Sequence, residues 1–178
     1  MQWRADAHLA GASVVIAGSL LMGCSGGSSD ARPLPERTTV TAVSRAPDAK
    51  HAEALDAYRA MWQDLAIASE TSDAGSPLLD DHAKGGALEL MKYGLREAKR
   101  EKVVSKGRPL VDPRVVSGTS QEVTVQDCVD GTDWLQYKLD GELKNDVPGS
   151  HTKADATVRR DGKTWKVSKL YLHEAGSC

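Results

Sequence analysis

Residues 121–131 read QEVTVQDCVDG, and their alternation decides the fold. Val123, Val125, Asp127 and Val129 fall on one side and Thr124, Gln126 and Cys128 on the other. That is the period of a strand with one buried face. Asp130-Gly131 is a strong hairpin signal, predicting a return strand over 134–139. A polar loop follows over 140–149 and holds Pro148. A strand over 152–160 leads into a second turn at Asp161-Gly162, then a strand over 164–173. In that last strand Trp165 and Val167 share one phase while Leu170 and Leu172 take the other. A bulge near Ser168 or Lys169 would bring them back to one face.

Upstream of the quoted stretch, 110–117 reads as another strand, with Pro113 marking an edge or a bulge. Before it the period is helical. Leu55, Tyr58, Met61, Trp62 and Leu65 recur at steps of three and four, with Asp48 as cap. Ser76-Pro77 starts a short second helix over 77–82, which Gly85-Gly86 interrupts. A third helix carries Leu88, Met91, Leu95 and Ala98 on one side and Lys92, Arg96, Lys99, Arg100 and Lys102 on the other. Helices followed by a run of strands predict an α+β domain over 48–178: N-terminal helices on a curved antiparallel sheet of four to five strands.

The rest of the chain reads as an address. Residues 9–22 are apolar, too short for a spanning helix and suited to a signal-peptide core. They end in Leu21-Met22-Gly23-Cys24, which resembles a bacterial lipobox. That resemblance implies a signal peptide over 1–23, cleavage after Gly23 and lipid on Cys24. Residues 25–47, with Ser25-Gly26-Gly27-Ser28-Ser29 and several prolines, have no periodicity. They read as a flexible tether reaching roughly 25–30 Å. The expected location is the extracytoplasmic face of the cell membrane, held by the lipid. With Cys24 lipidated, Cys128 and Cys178 remain, and an oxidising compartment favours a disulfide between them. The alternative, a two-cysteine metal site, lacks paired spacing.

A helix with Tyr58, Met61 and Trp62, then Asp127-Cys128-Val129-Asp130 with Trp134, then Trp165, Val167 and a terminal Gly176-Ser177-Cys178 is similar to a group of actinobacterial-type surface lipoproteins. Their domain resembles nuclear transport factor 2, the cystatin-like cone. The resemblance implies a shape and a place, and no reaction, since the roles of such lipoproteins are largely unassigned.

No constellation of catalytic residues stands out. Gly162-Lys163-Thr164 ends like a P-loop, but Thr157 stands where its glycine is needed and the segment is a hairpin. Gly23-Cys24-Ser25-Gly26-Gly27 matches a nucleophile elbow only by accident. Asp80, Asp81 and His82, or Asp127, Asp130 and Asp133, lack metal-ligand spacing, so no metal or cofactor is expected. The net charge is -2, and nothing resembles a basic nucleic-acid footprint. The Lys- and Arg-rich run over 92–108, balanced by Glu89, Glu97 and Glu101, reads as a solvated helix face, with contact to anionic lipid headgroups or cell-wall polymer as the alternative. The candidate site is the cone itself, with Tyr58, Trp62, Asp127, Trp134, Tyr137 and Trp165 as possible lining. Asp127 beside a tyrosine would suit proton transfer. Three roles follow: a non-catalytic binding or accessory module for a small apolar ligand, an isomerase- or cyclase-like enzyme, or an interaction subunit for an envelope protein.

Overall fold

The computed structural model describes residues 51–178. Cys24, the signal peptide, the tether and the Asp48 cap lie outside the described residues. Three helices precede six strands: α1 (Ala52–Ser69), α2 (Leu79–His82), α3 (Gly85–Arg100), β1 (Val103–Lys106), β2 (Arg114–Gly118), β3 (Glu122–Asp130), β4 (Leu135–Lys138), β5 (His151–Asp161) and β6 (Thr164–Ala175). The main sheet has the order β2-β3-β5-β6, and β1 pairs with β4 in a second, two-stranded sheet. Every strand pair is antiparallel.

The alternation in β3 is realised residue by residue. Val123, Val125, Asp127 and Val129 are buried, while Gln126 and Cys128 are exposed. Ala154, Ala156 and Val158 of β5 and Trp165 and Val167 of β6 complete the inner face. Against it lie Leu55, Tyr58, Met61 and Trp62 of α1 and Ala87, Met91 and Leu95 of α3. Each buried valine or leucine contributes about 1.5–3 kcal/mol through apolar area removed from water. Helices α1 and α3 cover this apolar face.

The hairpin expected across Asp130-Gly131 does not form. The turn itself is present: Asp130 Oδ1 accepts the Thr132 N–H at 2.9 Å, and Gly131 O accepts the Trp134 N–H. Yet both edges of β3 are already occupied. β5 pairs with it from Glu122↔Arg159 to Asp130↔His151. β2 takes the other edge, and Leu110 extends that side by exchanging two backbone hydrogen bonds with Asp130. With no free edge to return to, the chain leaves the main sheet and β4 pairs with β1 instead. β1 was not foreseen. It follows Lys102, whose φ of 58° ends the helical run, and Val103-Val104 supplies its β-branched start.

The bulge expected in β6 is there. Thr157 pairs with Lys169 and Val158 with Val167, leaving Ser168 as the extra residue, with its Oγ donating to Thr157 O. A second shift, between Thr152 and Ala154, and one in β2 between Val115 and Ser117 add further bends. Gly162, at φ 63°, makes the tight β5–β6 turn. Gly85-Gly86, expected as a break, instead begins α3. The segment before it lies along β6, where the Lys84 N–H donates to Val167 O.

Cys128 and Cys178 form a disulfide with Cα atoms 5.9 Å apart. It lies on the face away from the helices and passes over β5, where the Lys153 N–H donates to Ser177 Oγ.

Candidate functional site: a pocket where the two sheets part

The departure of β4 from the main sheet opens a gap, and α3 roofs it. The result is a pocket of about 400 Å³, within the size range of small-molecule sites. One wall is the last half of α1, with Trp62, Leu65 and Ser69. The roof is α3 from Leu90 to Ala98. The floor is the end of the main sheet at Val129, Thr152, Leu170 and Leu172, and the far wall is Ser105, Trp134 and Gln136. Leu90, Tyr93 and Leu172 are substantially exposed, so the pocket is apolar through to its mouth.

Two of the expected lining residues meet there. Trp62 and Trp134 stand edge to face, 6.2 Å between ring centroids at 90°. Trp134 Nε1 donates to Ser69 Oγ at 3.3 Å, and Ser69 in turn donates to Ala66 O at 2.7 Å. This chain fixes the indole against the C-terminal end of α1. Gly131 and Gly149 complete that corner. A Cβ on Gly149 would sit 1.7 Å from Gly131 O, so only glycine lets the two segments approach so closely.

The other four residues lie elsewhere. Trp165 is buried away from the pocket, its Nε1 donating to Glu53 Oε2 at 3.1 Å. Tyr137 is half-buried on β4 under Lys106 Nζ, 4.7 Å from its ring centroid. Tyr58 and Asp127 point inward as expected, but into solid packing rather than the pocket. Tyr58 Oη and Asp127 Oδ2 are buried without a hydrogen bond of ordinary geometry. Burial, and then the nearby Asp127 carboxylate, raise the Tyr58 pKa. Burial also raises that of Asp127, opposed by the Asp112 N–H donating to Oδ1 at 3.0 Å. An acid and a phenol are therefore neighbours, as a proton-transfer site requires, but neither lines the cavity where a substrate would sit.

Several charged groups outside the pocket are paired locally. His82 Nδ1 and Asp64 Oδ2 lie 2.7 Å apart, joining α2 to α1, and burial raises the Asp64 pKa. Asp80 faces Lys92, Glu97 faces Arg100, and Glu101 faces Lys144. Within the basic run over 92–108, Lys92 and Arg100 are paired with carboxylates. Among the described residues no group of three or more His, Cys, Asp and Glu is placed to hold a metal ion. No described helix is long and apolar enough to cross a membrane.

Sequence reasoning missed the roof. Leu90, Tyr93 and Gly94 were outside the stripe of Leu88, Met91, Leu95 and Ala98. The signal was available: Leu90 and Tyr93 widen the apolar arc of α3 beyond what one buried stripe needs.

No family model and no curated protein matches the chain. Among solved structures it is similar to the crystal structure of the intermembrane space region of chloroplast protein ARC6, at 14% identity with a TM-score of 0.44. The match covers 73% of this chain and 99% of that one. A likeness that slight carries no argument about fold or function.

Proposed function

We propose that this chain is a lipid-anchored binding module on the extracytoplasmic face of the cell membrane, taking a small apolar molecule between α3 and the strand ends. The pocket carries the reading: about 400 Å³ of preformed, largely apolar space with an apolar mouth. A protein confined to aqueous surroundings gains stability by closing such a space, because each apolar group left facing it forfeits burial. The placement at a membrane rests on the lipobox-like Leu21-Met22-Gly23-Cys24 and the Gly- and Ser-rich tether after it. The Cys128–Cys178 pairing fits an oxidising compartment. The likeness to surface lipoproteins of the nuclear transport factor 2 type agrees with helices on a curved antiparallel sheet. A binding role is favoured over an isomerase-like one because Tyr58 and Asp127 do not line the pocket.

Two experiments test this. Fractionation of cells expressing the full chain should place it in the membrane in a form that Cys24→Ala abolishes. Titration with apolar ligands should change the fluorescence of Trp62 and Trp134. A soluble wild type, or a pocket that binds no apolar probe, would refute the corresponding half.

A further inference from the structure

Gly94 occupies the middle of α3, where glycine is less favourable than alanine. The usual reasons for an interior glycine are missing. Its φ is not in the left-handed region. The helix runs through it without interruption. A Cβ built there meets nothing within 4 Å, so no neighbouring element needs the space. Gly94 is exposed, and its bare backbone helps to line the rim of the pocket. A second observation concerns charge. No side chain lining the pocket is charged at neutral pH, and its polar groups are hydroxyls, one amide and the indole N–H groups of Trp62 and Trp134, with Ser105, Gln136 and Thr152 among them.

We propose that this pocket takes an uncharged, largely apolar chain that lies against the backbone of α3, where Gly94 leaves it bare. The inference deepens the binding role and rests on it. A carboxylate or ammonium entering the pocket would lose water and meet no opposite charge. A hydroxyl or ester would find Gln136 or Ser105.

The test uses dodecanol and dodecanoate, titrated against the full chain carrying Cys24→Ser, with Gly94 intact or changed to Ala or Leu. Tryptophan fluorescence reads binding and thermal melting reads folding. Dodecanol should bind, and dodecanoate should bind about tenfold more weakly or worse. Gly94→Ala should melt at the same temperature or higher while binding dodecanol less well. Gly94→Leu should lose roughly tenfold in affinity, the effect of expelling about two methylenes. Equal affinity for the alcohol and the acid would overturn the uncharged-ligand class. Unchanged dodecanol affinity in Gly94→Leu would overturn the role of Gly94. Either result leaves the binding role standing. Failure of both probes to bind the Gly94 form would overturn the binding role and this inference together.

Discussion

Replacing Cys178 with serine isolates the contribution of one cross-link. Both cysteines are exposed on the outer face of the sheet, so the substitution disturbs little packing. What it removes is the closure of a loop with a sequence separation of 50. In the chain-entropy model a loop of that length contributes about 4 kcal/mol at 25 °C. Unfolding entropy of about 2.1 cal/mol/K per residue over residues 51–178 amounts to roughly 0.27 kcal/mol per degree. The expected fall in Tm is therefore about 15 °C, as an upper bound, since a compact denatured chain gains less freedom than an ideal one. The assay is thermal and guanidinium unfolding of the Cys24→Ser chain, with and without Cys178→Ser. Adding Cys128→Ser to the single variant should change nothing further. Unfolded without reductant, the Cys24→Ser protein should show no reactive thiol and the Cys178→Ser variant one. A melting temperature unchanged within about two degrees, or two thiols in the parent, would refute the reasoning.

Other consequences are equally concrete. Asp127 holds its proton to higher pH in the native state than in the unfolded chain, so stability falls as pH rises from its unfolded pKa to its raised folded one. Asp127→Asn keeps an oxygen for the Asp112 N–H and should flatten that decline in denaturant titrations between acid and neutral pH; an unaltered slope would count against it. Asp127→Ala leaves that N–H unpaired and should cost about 1–3 kcal/mol. Gly149→Ala drives a methyl into the Gly131 carbonyl and should cost roughly 3 kcal/mol; near-normal denaturant stability would show that this corner yields. Trp134→Phe loses the hydrogen bond to Ser69 and should cost about 1 kcal/mol, checked by the same unfolding curves.

The parts of this fold set by local pattern were legible in the residues. β3 could be read from Val123 to Val129 because period-two burial is a property of a single strand. The Ser168 bulge was legible because Trp165-Val167 and Leu170-Leu172 cannot otherwise share a face. Pairing was not legible where it depended on distant segments. Asp130-Gly131 has hairpin chemistry, but whether a hairpin forms depends on whether β3 has a free edge, and residues 110 and 151–159 occupy both. That same competition creates the pocket, so its position could not be read without the topology. Trp62 and Trp134 were found because large rings are conspicuous. Gly94 was missed because an absent side chain gives no signal until the space in front of it is seen.

The most direct test is a crystal structure of the protein purified from cells that express the full chain, without ligand exchange. The account predicts elongated density between α3 and the ends of β3, β5 and β6, passing over Gly94 and against Trp62 and Trp134, with no charged group at its enclosed end. A pocket closed by α3 settling onto Leu170 and Thr152, with Trp134 filling the gap, would contradict it.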